Sequence, residues 1–193
     1  MNKVKLGPQT LVYPKPAFLV GADVDKKANF LAVAWGGVAC GTPPMVSVAI
    51  RYSRYTLKGI KQNMAFSVNI TPKAYALETD YCGVVSGSKT DKVDDCGFTI
   101  FYGDLAGAPM IEQYPVNLEC KVIHLLNLGS HYLVIGEIIE THVSEDCLTA
   151  GEPDVTKINP ITYAEGQPGD YYCLGESVGK AFRIGKKLNR SKN

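Results

Sequence analysis

Between Ala32 and Thr56 the sequence allows few local conformations. A β-rich run, Asn29 to Ala34, reaches Trp35, the single tryptophan of the chain, and the glycines Gly36 and Gly37 follow at once. Without a Cβ, such a pair accepts backbone angles and close approaches that are closed to other residues. Inside a strand pattern it marks a bulge or a surface on which a ligand lies. Pro43 and Pro44, which cannot donate to a ladder, end the loop that follows, and Met45 to Ile50 resumes as a strand. That strand runs into Arg51-Tyr52-Ser53-Arg54-Tyr55-Thr56, a cluster of guanidinium, hydroxyl and phenol groups. A planar aromatic ligand against the glycines and an anion in the cluster fit the two halves. A packed corner followed by a solvated turn fits them too.

The remaining chain continues in short β-rich runs. Ala17 to Val24 and Ala28 to Ala34 read as a hairpin turned at Asp25-Lys26-Lys27. Thr56 to Asn63 reads as a short helix with Thr56 as its N-cap, which sets helix amides beside the polar cluster. Ala65 to Ile70 is a strand, and Thr71 to Val85 a helix with Leu77, Tyr81 and Val84 or Val85 on its apolar side. Ser86 to Lys92 is a polar loop. Val116 to Leu128 alternates poorly, which suits burial on both faces or a subunit contact, and Gly129-Ser130 turns it into a second long strand, His131 to Val143. Glu145 to Asn159 reads as a loop, Pro160 to Tyr163 and Tyr171 to Leu174 as short strands, and the segment from Ser177 as a brief helix. Short strands, Gly/Pro turns and few helices predict a mainly β single domain, a barrel or a sandwich with short helical insertions, over residues 1–193.

Composition excludes several functions. The net charge is +1 with both signs dispersed, so no basic stripe for nucleic acid exists. No apolar run approaches the roughly 20 residues of a membrane helix, and no signal peptide is visible, so a cytoplasmic protein with reduced thiols is expected. The six cysteines contain no C-x-x-C pair, and no metal site is predicted. Cys120 and Cys173 read as small core residues, and Cys40, just past the glycines, as packing or a neighbour of the ligand. His124 reads as a core or interface residue and His142 as solvated.

A longer pattern ties these pieces together. N-x-x-x-x-A-W-G-G (Asn29 to Gly37), P-P-x-V-x-V (Pro43 to Val48), S-x-Y-T (Ser53 to Thr56), F-S-V-N (Phe66 to Asn69), D-Y-x-G-x-V-S-G-x-K-x-D-K (Asp80 to Lys92), E-C-K-V (Glu119 to Val122), H-Y-L-V-I-G-E (His131 to Glu137) and G-K-A-F-x-I-G-K (Gly179 to Lys186) occur in that order. The sequence resembles the flavin reductase-like, FMN-binding split-barrel family, and its flavoredoxin branch in particular. The resemblance implies a split β-barrel of Greek-key type, bound FMN, a homodimer with the cofactor near the subunit contact, and electron transfer through the flavin. The acceptor that the resemblance implies is a protein or a small molecule. A flavin or ferric reductase fed by NAD(P)H is the enzymatic alternative, and a non-redox ligand-binding barrel is the plainest one.

FMN demands phosphate anchors, hydrogen bonds to the polar ring edge, and a wall that limits solvent, while the redox chemistry is its own. Ser53, Tyr55 and Thr56, with neighbouring amides, are the expected phosphate donors, and Arg51 and Arg54 the candidate charge partners. Both arginines cannot face inward if Arg51 to Tyr55 stays extended. Tyr52, within the same cluster, and Ser86, at the head of the polar loop, are further candidates. Lys89 and Lys92 lie in a loop able to close over the phosphate, and the family match favours Lys92. Backbone groups of Trp35, Gly36, Gly37 and Val38 are expected at the pyrimidine edge, with Asn29 nearby. His131 matches the family position beside the reactive side of the ring and is the candidate catalytic residue. Many relatives carry a hydroxyl residue where this chain has Ala32.

Overall fold

The computed structural model describes residues 1–166 and 169–192, with side chains through residue 188. Its strands are β1 (Lys15–Pro16), β2 (Phe18–Val24), β3 (Lys27–Val33), β4 (Gly36–Gly41), β5 (Pro44–Arg51), β6 (Ala65–Ile70), β7 (Ile100–Phe101), β8 (Met110–Ile111), β9 (Val116–Asn127), β10 (His131–Val143), β11 (Leu148–Thr149), β12 (Glu152–Pro153), β13 (Ile161–Ala164) and β14 (Asp170–Cys173). The α-helices are α1 (Thr56–Asn63), α2 (Ala76–Val84), α3 (Lys92–Asp95) and α4 (Val155–Ile158).

Seven strands form one antiparallel sheet in the order β3-β2-β6-β9-β10-β5-β4. Long connections return β6 beside β2 and β10 beside β5, the Greek-key kind of crossover. The sheet curls around one core in which Phe18, Val20, Val48, Ile50, Phe66 and Val134 meet Leu57 and Ile60 of α1. Its edge strands β3 and β4 do not pair, so the barrel is split rather than closed. A smaller core of Leu19, Phe30, Cys82, Phe98, Ile111 and Tyr114 lies under α2 and α3.

Most predicted strands recur with shifts of a residue or two. Asp25 and Lys26 turn the first hairpin with φ of 52° and 67°, the doubly left-handed turn that matches strand twist. The poor alternation of the long hairpin has a mechanical cause: the β9–β10 register slips between Ile135 and Gly136 and again between Ile138 and Glu140.

Several expectations are corrected. The glycines after Trp35 do not form a loop; they open β4, which pairs with β5. Gly36 is required by closeness, because a Cβ there would stand 2.7 Å from the Phe18 ring. Thr56 is not an N-cap: Tyr55 holds that position without a side-chain bond, and Thr56 begins the helix. The second predicted helix starts as a 3-10 turn at Lys73 and buries Thr79 and Cys82, whereas Leu77 and Val84 stay 79% and 75% exposed. A polar network replaced the apolar stripe, with the Thr79 hydroxyl 3.1 Å from that of Thr71 and 2.8 Å from that of Tyr114. Cys120 is buried but Cys173 is exposed. His124 is exposed on β9, which removes the core alternative for it. His142 is half-buried rather than freely solvated; it lies 3.9 Å from the buried Glu119 and edge-on to Phe101. The predicted loop after Glu145 holds β11, β12 and α4, and the final segment forms a 3-10 helix, Ile184–Lys192.

Candidate functional site

Two cavities meet at Leu31 and Arg54, which line both. The larger, about 390 Å³, is a slot between the barrel wall and α2. Ala32, Trp35, Arg51 and His131 form one side, Asp80, Gly83 and Val84 another, and Tyr163, Glu165 and Tyr171 cover it. The smaller, about 120 Å³, is lined by Ser53, Tyr55, Thr56, Ser86, Gly87 and Lys92 among others.

Lys92 is the decisive group in the smaller cavity. Asp91 caps α3 by accepting from the amides of Val93 at 3.1 Å and Asp94 at 3.4 Å, which fixes the first helical residue, Lys92, facing inward. The side chain is 3% exposed, and its Nζ donates to the carbonyls of Phe30 at 2.8 Å and Cys82 at 2.7 Å. Among the described residues no carboxylate pairs with it; the lysines that form ion pairs are Lys15, Lys27 and Lys58. Burial pushes its pKa below the usual lysine value. A buried cation without a counter-charge is costly, and an anion in the cavity it lines removes the cost.

The polar cluster reaches the same cavity through a turn. The Arg54 amide bonds the Arg51 carbonyl at 3.0 Å, so the segment is not extended. This lets Arg51 face the slot while Arg54 lies at the junction, its Nη1 held 3.2 Å from the Gly83 carbonyl. Asn29 is buried and donates to the Thr56 hydroxyl at 2.6 Å, which orients that group. A Cβ on Gly87 would fall 1.8 Å from Asn29 Oδ1, so only glycine lets the polar loop close over this corner.

At the other end, His131 opens β10 opposite Arg51. Its ring stacks on Trp35 with centroids 4.7 Å apart and planes at 22°, and Nδ1 lies 2.8 Å from the Ser130 hydroxyl. Burial, and then the Arg51 charge, lower its pKa, so the imidazole is neutral at pH 7. Slot and pocket together offer an aromatic wall, a neutral hydrogen-bonding ring and a cationic end, a layout that accommodates an elongated ligand with a planar head and an anionic tail.

The structure thus gathers Trp35, Arg51 and His131 at the slot, and Ser53, Tyr55, Thr56, Ser86 and Lys92 at the pocket, with Asn29 behind them. It does not gather Tyr52 or Lys89, which are exposed and line neither cavity. Gly36, Gly37 and Val38 line a separate groove on the other side of Trp35, about 640 Å³, closed by the N-terminal residues Gln9 to Pro14. They are displaced because β4 pairs along β5 instead of folding back over the slot. Cys40 lines none of these cavities. Sequence reasoning missed Asp80, Tyr163, Glu165 and Tyr171 as lining residues. Asp80 stands in a matched motif and was open to discovery; the other three lie on or just beyond two short strands that the local pattern does announce, but whose place over the slot it does not. Ala32 faces the slot with a methyl group.

No group of three or more metal-ligating side chains gathers among the described residues, and no described helix is long and apolar enough to cross a membrane. Residues 10–170 match the family model described as Flavin reductase like domain. The chain is similar to the flavoredoxin of Methanosarcina acetivorans, at 39% identity, TM-score 0.93, and coverage of 97% of this chain and 100% of that one. It is similar to the flavoredoxin of Desulfovibrio vulgaris (Miyazaki F), at 39% identity, TM-score 0.89, and coverage of 95% and 100%. An FMN-binding protein of Thermus thermophilus, 22% identical with a TM-score of 0.77 over 93% of this chain and 99% of that one, shares the fold. The split antiparallel barrel, the family match and the near full-length flavoredoxin likenesses agree, and the chain belongs to the flavin reductase-like family, among its flavoredoxin-type members.

Proposed function

We propose that the protein holds FMN and passes electrons through it to a protein or small-molecule acceptor, as a flavoredoxin-type oxidoreductase. The observation that carries this reading is the buried, uncompensated Lys92 ammonium at the closed end of a slot walled by Trp35 and His131. A phosphate in the smaller cavity meets that charge and the Ser53, Tyr55 and Thr56 hydroxyls, while the slot takes the ring. One pocket and one cationic end suit a single phosphate, hence FMN rather than FAD. Bound FMN supplies the redox chemistry itself. The chain binds the phosphate, orients the ring against Trp35, and limits water with α2 and the β13–β14 strands.

Protein expressed with ample riboflavin is expected to purify yellow and to release a cofactor that runs as FMN. A colourless protein, or released FAD, contradicts the reading. Anaerobic mixing with NADH or NADPH then separates two modes: retained colour fits a carrier reduced by a protein, and bleaching fits a nicotinamide-driven reductase.

His131→Ala is expected to leave the protein folded and yellow but to slow flavin reduction about tenfold to a hundredfold, because a donor beside the reacting ring stabilises charge as it develops. Rapid-mixing kinetics at full flavin occupancy measure this, and an unchanged rate removes His131 from the site. His131 also carries a pH signature. Its folded pKa lies below the ordinary imidazole value of 6.5, so as pH falls the unfolded chain takes up the proton first. The group's stabilising contribution is complete above 6.5 and is lost as pH drops through the lower folded value. The alanine variant is expected to lack this component of the melting-temperature profile.

A homodimer belongs to the same proposal. The β9–β10 hairpin leaves Leu126 and Leu128 exposed near its turn and Ile139 exposed further along β10, apolar surface that a second copy covers. Light scattering at micromolar concentration is expected to give twice the chain mass, and a monomer contradicts it.

A further inference from the structure

The short sheet β1–β13–β14 that covers the slot is fastened unequally. On the β1 side, Lys15 pairs with the Glu165 carboxylate, Thr10 Oγ1 donates to the same group at 3.0 Å, and the Tyr13 hydroxyl donates to the Glu165 carbonyl. Lys15 and Pro16 also pair along β13. On the opposite side β14 is an edge strand that pairs with β13 alone. Among the described residues, its sole hydrogen bond to the rest of the protein runs from the Tyr171 hydroxyl to Asp80 Oδ1 on α2, at 3.0 Å. Tyr171, Tyr163 and Glu165 line one wall of the slot, and Asp80, Gly83 and Val84 line the adjoining one. That bond spans the boundary between β14 and α2, and among the described residues Asp80 forms no ion pair that competes for its carboxylate.

We infer that Tyr171 and Asp80 form a latch: the knot at Glu165 holds one side of the cover, and the Tyr171–Asp80 bond governs how often β13–β14 lifts from α2 to admit or release the ring of the bound cofactor. The inference rests on the proposed flavin reading only for the identity of that cofactor. Tyr171 and Asp80 are positioning residues. They hold the cover, and the ring is exchanged when their bond opens. The start of β13 is anchored as well, with the Ile161 amide on the Thr71 carbonyl at 3.1 Å and Pro160 bridged to Pro72, so the part free to open is β14 with the far end of β13, and it opens at its single tie, since local openings follow the weakest contacts.

Two readouts test the latch, and only one needs flavin. Backbone hydrogen exchange of residues 162–166 and 170–173 in flavin-free protein is expected to quicken about fivefold in Tyr171→Phe, which keeps the ring and removes one hydroxyl. Asp80→Ala is expected to match it. Asp80→Asn, whose amide oxygen still accepts, is expected to stay within about twofold of wild type. The double variant Tyr171→Phe/Asp80→Ala is expected to add nothing to either single change, because both remove the same bond. In loaded protein, FMN dissociation is expected to quicken by the same factor, with global melting temperature unchanged. Unchanged exchange in Tyr171→Phe and Asp80→Ala, additive effects in the double variant, Asp80→Asn behaving as Asp80→Ala, or quickened exchange spread over the whole barrel each overturns the latch. If wild-type protein takes up no FMN, the flavin reading fails, and the exchange measurement still decides the latch.

Discussion

Lys92→Met is expected to weaken FMN binding about a hundredfold, some 2–4 kcal/mol, the loss of a buried charge-assisted contact. Methionine keeps most of the stem that packs between β3 and α2 and removes only the ammonium. In flavin-free protein the change has two opposed effects. The carbonyls of Phe30 and Cys82 lose their donor, but an unpaired buried cation also disappears. Stability without flavin is therefore expected to change by no more than about 1–2 kcal/mol, and the effect to show in binding. Calorimetric titration with FMN, set beside unfolding of the flavin-free protein, separates the two. There is a pH signature as well. Burial holds the Lys92 pKa below the ordinary 10.5, so wild-type affinity falls as pH rises through that lowered value, whereas the methionine variant lacks this arm. A dissociation constant within threefold of wild type would place the phosphate elsewhere.

Gly59→Ala is expected to destabilise the fold by about 2–4 kcal/mol, although alanine is the better helix former by roughly 1 kcal/mol. The cause is tertiary. A Cβ at Gly59 would stand 2.2 Å from the Asp23 carbonyl oxygen and 3.0 Å from Val24 Cγ2, and the first of these is backbone that cannot swing aside. The helix α1 must then lift from β2, which disturbs Leu57 and Ile60 in the main core. It also displaces Thr56 and Arg54, which border the smaller cavity, so FMN affinity is expected to fall with stability. Denaturant unfolding monitored through Trp35 measures the first effect and flavin titration the second. An unchanged unfolding midpoint would show that α1 and β2 relax apart at no cost.

These two positions mark the division between sequence and fold. Local signals located the hairpin turn at Asp25 and Lys26, the strands from Met45 and Ala65, the short helix after Thr56 and the long hairpin around Gly129. Each is decided by residues within a few positions, through alternation, turn chemistry and helical spacing. The ordered motifs also pointed to Lys92 and His131, and the structure places them at the two ends of one site. Local patterns failed where partners come from afar. The α2 helix presents Thr79 inward because Thr71 and Tyr114 satisfy its hydroxyl, so the apolar stripe of Leu77 and Val84 turns out. The glycines after Trp35 left the slot because β4 found its hydrogen bonds along β5.

By itself, then, the sequence determined the strand-rich fold, its family, and the residue types that the proposed phosphate site would use. Those depend on backbone preferences and on chemistry that neighbouring residues carry among themselves. Only the tertiary structure decided that Lys92 is buried without a counter-charge among the described residues, that Arg51 and Arg54 both line the slot, and that Tyr163, Glu165 and Tyr171 complete its wall. Burial and charge pairing are set by segments far apart in the chain, as in the bond from Tyr171 to Asp80, which joins positions 91 residues apart. No local pattern encodes such a contact, because its energy exists only once the sheet has curled and brought both segments to the same face.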